Sequence, residues 1–145
     1  MRNIFIRKPK KGELEDVYTL YREWNKTTLS FRAFSHLVRK AKSNTILVAL
    51  YDDHLVGFII IAQGYDIEAE GMKWEITDFY VKPHFRDRGI GSFLITKAQL
   101  LAKNAGARHI LLFTNLKNKN TCRYCKRRQK RVESKKGEAA GNKWE

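Results

Sequence analysis

Two arginines and two glycines within six residues, Arg86-Asp87-Arg88-Gly89-Ile90-Gly91, make the stretch of this 145-residue chain best suited to hold an anion. Glycines one residue apart permit a tight turn and let backbone amides approach a ligand. From Gly89 or Ile90 the sequence reads as a helix. Its first N–H groups have no acceptor inside the helix, and its dipole places partial positive charge there. Arg86 and Arg88 add full charges. The chemistry implied is a seat for a phosphate or pyrophosphate. Upstream, Trp74–Val81 mixes aromatic and β-branched residues and reads as a strand. Pro83, which has no backbone N–H, ends it. The strand carries two carboxylates, Glu75 and Asp78, on opposite faces because their separation is odd.

Two common phosphate motifs are excluded. Leu94 stands where G-x-G-x-x-G needs its third glycine, and no Gly-Lys-Ser/Thr ends a P-loop. The stretch instead resembles the acetyl-CoA signature of the GNAT superfamily of N-acetyltransferases, Arg/Gln-x-x-Gly-x-Gly/Ala after a strand ending in Val-x-Pro. Here these are Val81-Lys82-Pro83 and Arg86-x-x-Gly89-x-Gly91. The resemblance implies acetyl-CoA as co-substrate, an amine acceptor and no metal. It implies that backbone groups of Phe79, Tyr80 and Val81 pair with the pantetheine amides. It places the pyrophosphate on Arg86, Asp87, Arg88, Gly89, Ile90, Gly91 and Ser92, and a strand N–H near Val81 on the thioester oxygen. A valine at Gly89 or Gly91 is expected to block the phosphate with little effect on the fold.

Acetyl transfer to an amine needs a group that takes the amine proton, a donor to the developing oxyanion, and a proton for the departing thiolate. By the resemblance, Glu75 falls where several GNAT enzymes place a glutamate general base. Asp78 is the alternate base. A salt-bridged strand carboxylate without catalytic role is the plainer reading of each. The family often has a tyrosine after the fifth strand that protonates the thiolate, within Asn-x-x-Ala-x-x-Phe-Tyr ending in Gly-Phe. Thr121–Arg127 matches in part, with Tyr124 as the tyrosine and Asn118 or Asn120 as the asparagine. Arg128-Gln129 replaces the Gly-Phe pair.

Periodicity sets the elements that must position these residues. Asn3–Arg7 is a first strand. Leu14, Val17, Tyr21 and Trp24 recur at 3 and 4 residues, which predicts a helix over Glu13–Trp24. Ser30 caps a second helix to about Lys42, with Phe31, Phe34, Val38 and Ala41 inward and Leu37 beside them. Thr45–Leu50 and Leu55–Gln63 are strands joined at Tyr51–His54. The run Leu55–Ala62 is nearly all apolar, so that strand is expected to be central and buried on both faces. Gly64–Lys73 is a turn or extended hairpin with Asp66, Glu68 and Glu70, an acidic rim suited to a cationic amine or simply solvated. The third helix runs to Ala105 with Ile90, Leu94, Ala98 and Leu101 inward, Gly106 as its C-cap, and a fifth strand at Arg108–Phe113. A helix near Asn120–Arg131 and a strand stub at Lys143–Glu145 complete the pattern.

This order is α/β and GNAT-like. The resemblance implies a mixed sheet with helices on both faces, splayed fourth and fifth strands, and a shortened C-terminal end. Residues 1–132 are expected to form the acetyltransferase domain. Residues 133–145 are a C-terminal segment that begins within the basic block and offers a final strand to the same domain.

Composition bounds the function. Hydrophobic residues make up 43% and aromatics 12%, enough for one core. No apolar run approaches the ~18 residues of a membrane span, and the N-terminus lacks the apolar stretch of a signal peptide. Cys122 and Cys125 are too few for a disulfide scaffold or a complete zinc site. A cytoplasmic monomer or homodimer is expected. Net charge is +14, of which +9 falls within Lys117–Lys136. Such a block suits nucleic acid or an acidic partner, but only Tyr124 and Trp144 offer stacking rings for a single strand. Nucleic-acid association is therefore the less favoured alternative. A GNAT-like domain that binds CoA without catalysis is the other.

Overall fold

The computed structural model describes residues 3–41, 43–68, 70–113, 132–135 and 139–143. These fall into two compact units, one within residues 1–60 and 78–97, the other within residues 61–77 and 98–145. Two strands and a helix pass through both: β3 (His54–Asp66), β4 (Gly71–Val81) and α3 (Ile90–Asn104).

The first unit holds β1 (Ile4–Arg7), α1 (Leu14–Trp24), α2 (Phe31–Lys40) and β2 (Asn44–Tyr51). Its strand order is β1-β2-β3-β4. β1 and β2 pair antiparallel from Ile4↔Tyr51 to Arg7↔Val48. The β2–β3 loop is only Asp52-Asp53, both with left-handed φ, 47° and 66°. Two such residues make the primed turn whose twist matches a hairpin. Every residue from Ile46 to Leu50 is buried, as are Val56, Phe58, Ile59 and Ile60. The expectation of a central third strand is thus met.

Alternation decides which helix each strand residue meets. Ile46, Val48 and Leu50 of β2 and Phe58 and Ile60 of β3 form a cluster with Val17, Leu20 and Phe34, and Tyr80 of β4 packs against it. Phe79, one residue away and so on the opposite face, lies against Gly91 of α3. Helices therefore cover both faces within this unit. Ser30 caps α2 as predicted, its Oγ accepting from the Ala33 N–H at 3.1 Å. The apolar face of α2 is narrower than the pattern predicts. Phe34 is buried, but Leu37 is half exposed, and Phe31 is partly exposed with its ring against Tyr18, 5.6 Å between ring centres.

The second unit has the order β3-β4-β5-β7-β6, adding β5 (His109–Phe113), β6 (Val132–Lys135) and β7 (Ala139–Lys143). β4 and β5 run parallel from Lys73↔His109 to Ile76↔Leu112, while β4 itself continues to Val81. β5–β7 and β6–β7 are antiparallel, which makes the sheet mixed. α3 ends in a Schellman motif: Gly106 has φ +83°, its N–H donates to Lys103, and the Ala107 N–H donates to Ala102.

Two differences concern the C-terminus. The last strand is Ala139–Lys143 rather than a stub at 143–145, and β6 precedes it. Ala-Ala-Gly-Asn-Lys has weak strand propensity; the ladder with β5 supplies the order that the residues do not. The helix expected near 120–131 lies outside the described residues. Among those residues, no helix is long and apolar enough to cross a membrane.

Candidate functional site

In the first unit, β4 ends at Val81, and the Lys82 N–H donates to the Val56 carbonyl at 2.8 Å. Pro83–Phe85 is a single 3-10 turn with proline at its start, where a missing N–H costs nothing. Asp87 and Gly89 then take left-handed φ, 62° and 84°. Left-handed residues in such a turn can aim backbone N–H groups at a common point, as in an anion nest. The first bond of α3 is Phe93 N–H to Gly89 carbonyl, at 3.0 Å. The amides before Phe93 have no acceptor within the helix. Arg86 to Gly89 is solvent-exposed, as is Ser92, while Ile90 is buried and anchors the helix start. The residues fit a pyrophosphate at their backbone amides.

The two arginines are not equivalent. The Arg86 Nε donates to the Val81 carbonyl at 2.8 Å, and its guanidinium lies 5.5 Å from the Tyr80 ring centre. Arg86 thus straps the turn to the end of β4. The Arg88 guanidinium lies over Tyr51 and Phe85, 5.4 and 5.7 Å from their ring centres.

The glycines also differ. At Gly89 the backbone conformation disfavours any side chain, although space is present: the nearest atom to an added Cβ is Phe93 Cε2 at 3.8 Å. At Gly91 a side chain would meet a neighbour as well as any ligand. A Cβ there would stand 3.0 Å from Phe79 Cζ, so the Phe79 ring would have to give by a few tenths of an ångström to admit it.

Two residues that the sequence pattern does not single out belong here. Gly57 of β3 runs so close to β4 that a Cβ would meet the Tyr80 carbonyl oxygen at 2.9 Å. Glu23, on the last turn of α1, accepts from the Tyr80 hydroxyl at 3.2 Å. Burial, reinforced by the Glu23 charge, pushes the Tyr80 hydroxyl above its ordinary value. A Gly between apolar residues signals a close backbone approach; a glutamate on a helix surface gives no comparable signal. Asp78, half-buried, precedes Phe79 in this unit.

In the second unit, Glu75 lies opposite Leu111 of β5, half-buried between the buried Trp74 and Ile76. The acidic hairpin is not a row of equivalent carboxylates. Glu70 stands 3.6 Å from the Arg108 guanidinium, and its left-handed φ of 57° closes the turn. Tyr65 and Ile67 at the same tip are almost fully exposed. Tyr124, Asn118, Asn120 and both cysteines lie outside the described residues.

Comparison with known proteins accords with this arrangement. The model of the acetyltransferase (GNAT) family matches residues 8–129. A protein of Methanocaldococcus jannaschii described as an uncharacterized N-acetyltransferase is 43% identical over 53 residues, which take in 37% of this chain and 24% of that protein. An aminoglycoside acetyltransferase from an uncultured soil metagenomic sample, solved with sisomicin, superposes with a TM-score of 0.77 at 16% identity, covering 91% of both chains. The PaiA N-acetyltransferase of Thermoplasma acidophilum, solved with coenzyme A, gives 0.63 at 20% identity, covering 98% of this chain and 99% of that one. At such identities the two structures share a fold. The family match spans most of the sequence, and on that ground this protein belongs to the GNAT acetyltransferase family.

Proposed function

We propose that this protein is an N-acetyltransferase that moves an acetyl group from acetyl-CoA to a primary amine. The acceptor classes in view are a protein N-terminus, a lysine side chain and a small amine. The observation that carries this reading is the turn between β4 and α3, with left-handed Asp87 and Gly89 leading into a helix start. Backbone amides of Arg88–Ser92 would hold the pyrophosphate, and backbone groups of Phe79–Val81 the pantetheine arm. The coenzyme supplies the activated acetyl thioester. The GNAT-fold proteins solved with sisomicin and with coenzyme A support an amine acceptor and a CoA donor.

The chain's own residues would supply the rest. Glu75 takes the proton that the amine must lose, with Asp78 as the alternate. A strand N–H near Val81 donates to the carbonyl oxygen as negative charge develops there. The amine nitrogen bonds to the carbonyl carbon, the carbon–sulfur bond breaks, and Tyr124 gives its proton to the departing thiolate. Residues 1–132 carry this chemistry in our reading, and the pairing of β7 with β5 supports assigning 133–145 to the same domain.

The test is a thiol-release assay with acetyl-CoA and a panel of peptide N-termini, lysine peptides, polyamines and aminoglycosides, beside calorimetric titration of CoA. Turnover with one class establishes the reading. CoA binding without turnover on any acceptor points to a binding domain instead. No CoA binding at all removes the proposal.

A further inference from the structure

We infer that Tyr51, outside the glycine-turn motif, is a positioning residue for the phosphate end of the coenzyme, acting through Arg88. The inference rests on the coenzyme reading above. Its basis is a three-part stack in the first unit. The Tyr51 and Phe85 rings stand 5.5 Å apart with an angle of 55° between them, and the Arg88 guanidinium lies over both. Arg88 Nη1 also donates to the Tyr51 hydroxyl, at 3.3 Å.

Both rings are fixed from outside the turn. Tyr51 is the last residue of β2, pinned by its register with Ile4 and by the two-residue turn that follows. Phe85 is held by the 3-10 turn, its N–H donating to Lys82 at 2.9 Å. Arg88 is itself exposed, and a free arginine would sample many rotamers. Stacked on two rings and bonded to the Tyr51 hydroxyl, its planar fork is ordered before any ligand arrives, and such a fork matches phosphate geometry. Arg86, by contrast, is engaged elsewhere: its Nε is bonded to the Val81 carbonyl and its guanidinium lies by Tyr80.

The experiment titrates CoA and pantetheine, which lacks the nucleotide and its phosphates, into wild type, Tyr51→Leu, Tyr51→Phe and Phe85→Leu. Tyr51→Leu and Phe85→Leu should each weaken CoA about fivefold, the scale of one cation–π contact, and leave pantetheine unchanged. The affinity for CoA should also depend less steeply on salt. Tyr51→Phe keeps the ring and should stay within twofold of wild type. Unchanged CoA affinity in both leucine variants overturns the inference. So do equal losses for CoA and pantetheine, which mark general damage to the fold. Failure of wild type to bind CoA is a separate result: it overturns the coenzyme reading and this inference with it.

Discussion

Gly91 lies so close to Phe79 that an added Cβ would stand 3.0 Å from the ring's Cζ. The glycine therefore lets α3 seat its first turn on β4, apart from anything it does for a ligand. Gly91→Ala is expected to destabilise the protein by up to about 2 kcal/mol, an overpacking cost of about 1–3 kcal/mol offset by the about 1 kcal/mol that Ala gains over Gly in a helix. Phe79→Leu in the same chain should recover part of that loss by making room. Urea denaturation of the two single variants and the double variant measures the coupling. Strictly additive losses would show that the two residues do not share this space.

Gly89 makes the opposite case. Its φ of +84° costs a side chain about 1–2 kcal/mol, yet the nearest atom to a new Cβ is 3.8 Å away. Gly89→Ala should therefore relax the turn rather than clash. CoA affinity is expected to fall by about tenfold, the effect of 1.4 kcal/mol. A calorimetric Kd for CoA equal to wild type would separate this turn from the coenzyme.

The residues that announced themselves in sequence were those whose local geometry is demanding. Val81-Lys82-Pro83 and the two glycines fixed the strand end, the turn and the helix start, because few residue types tolerate those conformations. Gly106 did the same for the end of α3. Contacts between distant segments left no such trace. Glu23 and Tyr80 are 57 residues apart, and Arg88 and Tyr51 are 37 apart. β6 leaves no mark in the sequence pattern and β7 only a stub at its C-terminal end, because pairing on β5 and with each other, rather than their own residues, makes them strands. Phe31 and Leu37 fit a helical stripe but lie too far round α2 to be covered.

Gly57 tests the close approach of β3 and β4. The atom that a Cβ would meet, at 2.9 Å, is a backbone oxygen, which cannot rotate away as a side chain can. Gly57→Ala should displace the end of β4 at Tyr80 and Val81. A loss of about 1–3 kcal/mol in stability is expected, together with weaker CoA binding. Wild-type stability by thermal denaturation would mean that the strands yield freely there.

Glu13 provides a pH-dependent test of the fold. Both its oxygens accept from the Arg7 guanidinium, at 2.6 and 2.9 Å, and Oε1 also accepts from the Lys10 N–H at 2.7 Å. Hydrogen bonding from Arg7, chiefly, lowers its pKa to about 2 against the opposing effect of burial. A folded-state value below the unfolded one stabilises the protein above about pH 4.3. That contribution is lost as pH falls toward 2. Glu13→Gln should thus lower Tm at pH 7 and converge on wild type in acid. A Tm difference that stays constant from pH 7 to 2.5 would contradict this linkage.

The reaction itself is tested by separating its two proton transfers. If Glu75 takes the amine proton, Glu75→Gln keeps the shape and hydrogen bonding but removes the base, a loss of ~10²–10⁴ in rate. The deficit should shrink as pH rises, because an amine of pKa ~10.4 then needs less help. CoA affinity should remain near wild type, since the amides assigned to the pyrophosphate follow Pro83. Tyr124→Phe should behave in the reverse sense. If Tyr124 protonates the departing thiolate, the change removes a donor to a group whose thiol pKa is ~8.5 by analogy with cysteine. Its deficit should grow as pH falls, where the leaving group most needs a proton. A pH–rate profile of wild type and both variants with one working acceptor distinguishes the roles. Full activity of Glu75→Gln at neutral pH would transfer the base assignment to Asp78, three residues along the same strand.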